Sequence, residues 1–130
     1  MFGEMLRRPR IATPEITASY CKFILDEKQH YCDGAQRHEV RDAAVQHAVW
    51  RGPEGTIGYV FANVSEEPVT FEVELSSYCA EPGSYDVDRV TDGEREAWLR
   101  ATSLPRRVSL ALQPLSVMLV EVREAEGKVI

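Results

Sequence analysis

Glu72 and Glu74 stand two residues apart in the run VTFEVEL, residues 69–75. On a β-strand that spacing sets two carboxylates on one face, about 6.5–7 Å apart. The separation overlaps the one used by the acid and base of glycoside hydrolysis. A glycosidase, however, holds its two acids on opposite sides of a bound sugar, whereas neighbours on one flat strand point the same way. Glu is rarely buried, so the pair reads as a solvated sheet face. His30, Cys32, His38 and His47 supply only an H-x-C pair, short of the spacings that hold zinc, and neither a metal nor another cofactor is expected. No G-x-S-x-G turn presents a nucleophilic serine. Cys21, Cys32 and Cys79 form no CxxC unit, and three thiols cannot all pair within one chain; they are expected to be free and buried. Asn63-Val64-Ser65 matches a glycosylation sequon, which matters only in a eukaryotic secretory setting. Otherwise Asn63 starts a turn through its side chain.

Aromatic residues offer binding rather than catalysis. Trp50, Trp98 and Tyr85, with Tyr59, could stack on the C–H face of a pyranose, and the first three are the candidate carbohydrate-binding residues. The competing reading is core or sheet-surface packing, because aromatic side chains dominate core energetics.

The elements that must position these residues follow a period of two. Val69, Phe71, Val73 and Leu75 alternate with Thr70, Glu72 and Glu74, the pattern of a half-buried strand. In the preceding run Ile57, Tyr59 and Phe61 occupy one face while Val60, Ala62 and Val64 occupy the other, which predicts an interior strand. SEEP, residues 65–68, supplies a polar turn, with Pro68 tolerated at the first position of a strand. The two runs therefore read as an antiparallel hairpin. AAVQHAVWR, residues 43–51, closed by GPEG at 52–55, extends it to a three-stranded meander. Asp92-Gly93 between SYDVDRV and EREAWLRA is a strong hairpin signal. RRVSLALQ and LSVMLVEV, separated by Pro114, give two closing strands.

The first third is ambiguous. Thr13-Pro14-Glu15 resembles an N-cap, a first-turn proline and an early acid, followed by Ile16, Tyr20, Phe23, Ile24 and Glu27 at helical spacing. TASYCKFIL also fits a strand, so a short N-terminal helix and a sandwich strand both stand. The expected organisation is one domain over 1–130, all-β, an antiparallel two-sheet β-sandwich of immunoglobulin-like or related type. Residues 1–12 read as a linker-like strand leading into it, 26–42 as a polar loop, and 123–130 as a flexible tail.

Composition narrows the function classes. The 130 residues, 44% apolar and 28% charged, are those of a soluble globular domain. A net charge of −6 disfavours nucleic acid, whose nonspecific binding relies on clustered Lys and Arg. No apolar run approaches the roughly 20 residues that span a bilayer, so no membrane partner is expected. MFGEMLRRPR lacks the apolar core of a signal peptide, which makes the cytoplasm the expected compartment.

VQHAVWRGPEGTIGYVFANVSEEPVTFEVEL, residues 45–75, resembles the C-terminal β-sandwich domain of barrel-type glycoside hydrolases of the α-amylase-like and α-galactosidase-like kinds. The shared pattern is a strand ending in Trp50, a turn bearing Gly52 and Gly55, an apolar strand ending in Ala62-Asn63, a polar turn, and another strand. FGEMLRRP is similar to the segment by which such chains leave the barrel, and LALQPLSVMLVEV to their closing strands. The barrel and its acid pair have no counterpart in the sequence, so the resemblance carries over no catalytic residue. It implies a noncatalytic accessory domain that packs on a catalytic barrel, or self-associates through the same surface, and aids carbohydrate orientation. A carbohydrate-binding module using Trp50 or Trp98 is the alternative, and a small enzyme with a Glu or His site is a third reading.

Overall fold

In the computed structural model, residues 3–21, 37–79 and 83–125 are described. They form ten strands: β1 Glu4–Leu6, β2 Glu15–Cys21, β3 Arg37–Ala43, β4 Val45–Arg51, β5 Ile57–Asn63, β6 Val69–Leu75, β7 Tyr85–Thr91, β8 Glu94–Thr102, β9 Arg106–Leu112 and β10 Ser116–Glu124. Six of them make one antiparallel sheet in the order β1-β4-β5-β10-β7-β8, while β6 pairs only with β9 and β2 only with β3. The β6-β9 ribbon covers one face of the six-stranded sheet, giving an all-β antiparallel sandwich. Among the described residues no helix is long and apolar enough to cross a membrane.

Alternation builds both layers. Val45, Val49, Ile57, Tyr59, Phe61, Val87, Met118, Val120 and Val122 point inward from the large sheet and meet Val69, Phe71, Val73, Leu75, Val108, Leu110 and Leu112 of the ribbon. Across the layers the rings of Phe61 and Phe71 sit 5.3 Å apart, tilted by 50°, a geometry that aromatic pairs favour. Each hairpin is followed by a strand that changes layer. After β4-β5 the chain crosses to β6, after β7-β8 it crosses to β9, and β10 then returns to the sheet between β5 and β7.

The expected β5-β6 hairpin is therefore an arch instead. Hairpin and arch both give each strand one apolar face, and the alternating pattern does not distinguish them. Asn63 decides the geometry locally: its buried amide donates to the carbonyls of Glu67 at 2.8 Å and Gln113 at 3.1 Å, and its oxygen accepts from Ser65 N and Oγ at 3.0 and 2.7 Å. The side chain thus ties the end of β5 to the turn and to the end of β9. Buried and fully engaged, it is inaccessible as a glycosylation acceptor in the fold.

One open alternative is decided and two expectations are corrected. The segment from Thr13 is strand β2, paired with β3 in the register Ile16↔Asp42 and Ala18↔Val40. Pro14 opens it with a carbonyl that accepts from Ala44 N at 2.7 Å, and Thr13 Oγ1 is buried without a hydrogen-bond partner among the described residues, so it caps nothing. Non-local pairing overrides the helix signal, since Ile16 and Thr17 are β-branched and suit a pleated ladder. The polar loop drawn over 26–42 is strand β3 from Arg37 onward, and its earlier part lies outside the described residues. Of the tail drawn over 123–130, Arg123 and Glu124 belong to β10 and pair with Asp86 and Tyr85; residues 126–130 lie outside the described set.

The leading segment does more than link. After β1, residues 7–14 run as a strap along the edge of β4. Tyr78 Oη donates to the Arg7 carbonyl, Arg8 donates to His47 O at 3.3 Å, and His47 Nε2 donates to Pro9 O at 2.6 Å. Leu6 and Ile11 pack against the core. An open sheet edge invites pairing with other chains, and this strap closes part of it.

Candidate functional site

The second face of the six-stranded sheet, opposite the ribbon, has no layer over it among the described residues. Strand register lays its side chains out in rows. Met5, Trp50, Gly58, Glu121 and Asp88 stand opposite one another in one row, Ala48, Val60, Leu119 and Val90 in the next, and Gln46, Ala62 and Val117 in a third. Met5 is 64%, Val117 56% and Trp50 38% exposed, whereas Ala48, Val60, Ala62 and Leu119 between them are half-buried. The β1-β4-β5-β10 half of the face is apolar.

The β10-β7-β8 half is charged and internally neutralised. The Asp88 side chain is buried, with Arg123 donating to Oδ2 at 2.7 Å, Arg95 donating to it at 3.1 Å, and Arg100 lying 2.9 Å from Oδ1. Arg95 also pairs with Glu121. Burial alone would raise the Asp88 pKa, but the guanidiniums of Arg123, Arg100 and Arg95 outweigh it and pull the carboxyl down to about 2. The guanidiniums are themselves partly solvated. The arrangement ties β7 to both of its neighbours, β8 and β10.

The sequence-predicted residues do not assemble into one site. Trp50 is on the open face, between Met5 of β1 and Gly58 of β5, so the indole has no side-chain neighbour on the β5 side. Trp98 lies on β8, half-buried against the core margin with Arg89 stacked 4.8 Å from its ring centre. Four inter-strand steps separate β4 from β8, about 19 Å at the usual spacing, and the two indoles face opposite sides of the sheet. Tyr85 and Tyr59 are buried. Tyr59 exchanges hydrogen bonds with Ser76 O and N at 2.9 and 2.7 Å, and burial pushes its hydroxyl pKa up. Tyr85 reaches an end groove of about 480 Å³, shared with Arg51, Tyr78 and Cys79.

Glu72 and Glu74 are exposed on the outside of the ribbon, and Glu72 pairs with Arg107 at 3.1 Å. They point the same way, and only Glu72 borders a surface groove, of about 270 Å³, that Glu74 does not line. Cys79 is a free exposed thiol, not the buried one expected; Cys32 and the side chains of Cys21 and His38 lie outside the described residues, as does His30. No group of three metal-ligating side chains occurs among the described residues. Sequence reasoning missed the Asp88 cluster. Its signal was present as charges at the outward positions of YDVDRV, EREAWLRA and LVEVRE, but only strand pairing shows that they converge.

Fold and face together define a class, an antiparallel β-sandwich with one open, half-apolar sheet. Comparison adds no relative to it: no protein-family model, curated protein or solved structure matches the chain.

Proposed function

We propose that the chain is a noncatalytic accessory β-sandwich of a glycoside-hydrolase-like protein, which packs its open sheet face on a catalytic barrel and helps to orient carbohydrate there. The observation that carries this reading is the exposure of Met5, Trp50 and Val117 around a half-buried apolar centre. Contiguous apolar surface of this kind marks an interaction face. The resemblance of residues 45–75 to sandwich domains of barrel enzymes supplies the partner's identity. Glu72 and Glu74 project the same way from one strand, with Glu72 paired to Arg107, which supports placing the chemistry on the partner.

The coding DNA on either side of this reading frame provides the test. A barrel-encoding region is expected there, and the two pieces produced together should co-purify. Val117→Asp places a charge at the exposed margin of the apolar face and should weaken the complex at least about tenfold, roughly 1.4 kcal/mol. A locus without a barrel, or a barrel that does not retain the chain, overturns the reading. Saturable quenching of Trp50 by soluble glycans, in a Trp98→Phe background and without any barrel, would transfer the face to direct carbohydrate binding.

A further inference from the structure

The N-terminal strap carries three arginines within four residues, Arg7, Arg8 and Arg10, in a chain whose net charge is −6. Elsewhere among the described residues Arg51, Arg89, Arg95, Arg100, Arg107 and Arg123 each lie against a carboxylate. Among the described residues the three strap arginines lie against none, as do Arg41 and Arg106, one on β3 and one on β9. The nearest acid in sequence, Glu4, is taken by Arg51 at 3.3 Å. All three are exposed, and together with Pro9, Ile11 and His47 they line a surface groove of about 530 Å³.

The backbone beneath them is fixed. The ladder of β1 with β4 holds one end, Tyr78 and His47 bind the carbonyls of Arg7 and Pro9, and Pro9 restricts its own φ. Three residues of chain span at most about 10 Å, so one short segment can meet all three guanidiniums. Each guanidinium has five N–H donors in a planar fork suited to bidentate carboxylate pairing, and only Arg8 has one engaged, on His47 O.

We propose that this strap is a binding site for an acidic protein segment, whose Asp or Glu side chains pair with Arg7, Arg8 and Arg10 along the groove. A polyphosphate strand gains little from three contacts, because its affinity is built from many phosphate–cation pairs. A membrane surface calls for clusters of about four to eight basic residues. Carboxylates spaced about 6.5–7 Å apart on an extended segment match arginines two residues apart. The inference is independent of what covers the open sheet face.

Hexaglutamate is the probe, with hexaglutamine as its uncharged counterpart, and amide NMR of the whole chain is the readout. Hexaglutamate should shift the amides of residues 7, 8, 10, 11 and 47 saturably, and its affinity should fall as salt rises from about 20 to about 150 mM. The double variant Arg7→Gln/Arg10→Gln should weaken binding at least about tenfold while melting at the wild-type temperature, because neither side chain makes a hydrogen bond or ion pair among the described residues. Equal binding of hexaglutamine, shifts that map away from the strap, or an unchanged affinity in the double variant overturns the proposal. Tighter binding of inorganic sulfate or a heparin oligosaccharide than of hexaglutamate also overturns it, in favour of a general anion or glycan site.

Discussion

At the scale of single residues, Asp88 has the chemistry most altered by the fold. Three arginines from two neighbouring strands hold its buried carboxylate ionised, so its pKa lies near 2 against 3.8 for a free Asp. A depressed carboxyl pKa adds stability that is fully present above the free value and is lost as pH falls through the folded one. The window is therefore about pH 4 down to 2. Solvent around the guanidiniums screens the effect, which leaves on the order of 1 kcal/mol. The stability gap between wild type and Asp88→Asn, measured by urea unfolding, should narrow by that amount between pH 5 and pH 2. A gap that stays constant over the range would show that the arginines do not hold the carboxylate.

At the scale of elements, the β7-β8 hairpin and the β5-β6 arch show why some connections are legible in a sequence and others are not. Asp92 and Gly93 both take left-handed backbone, with φ of 50° and 78°, as a two-residue turn between right-twisted strands requires. That requirement is local, so the Asp-Gly pair announced the hairpin. Gly93→Ala puts a Cβ at positive φ and should cost about 1–2 kcal/mol. Its melting temperature by circular dichroism should fall by roughly 3–8 °C, whereas Ala at Glu94 next door should leave it nearly unchanged. The arch carried no equivalent local mark. Asn63 is a turn-forming residue in either geometry, and its partners Leu112 and Gln113 are far away in the chain. β2 reads as either helix or strand in the sequence for the same reason, because a local Thr-Pro-Glu signal competes with a ladder to β3 that no local window contains.

At the scale of the molecule, the two layers share one core and should unfold together. Phe61 is fully buried and joins β5 to Phe71 on the ribbon. Phe61→Ala should cost about 3–5 kcal/mol, with near-ultraviolet and far-ultraviolet signals melting at one midpoint. Separate midpoints would mean that the ribbon and the sheet fold independently. The sequence alone determined that the chain is all-β, where most of its strands lie and which face of each is apolar, because alternation is a property of successive residues and burial rewards it directly. Tertiary structure alone decided which strands pair, that β10 enters between β5 and β7, that Asp88 gathers three arginines, and that Trp50 faces out while Tyr85 faces in. Those outcomes depend on contacts between residues distant along the chain. A period of two gives every strand an inside and an outside, but it leaves open which neighbour lies alongside and which layer lies across.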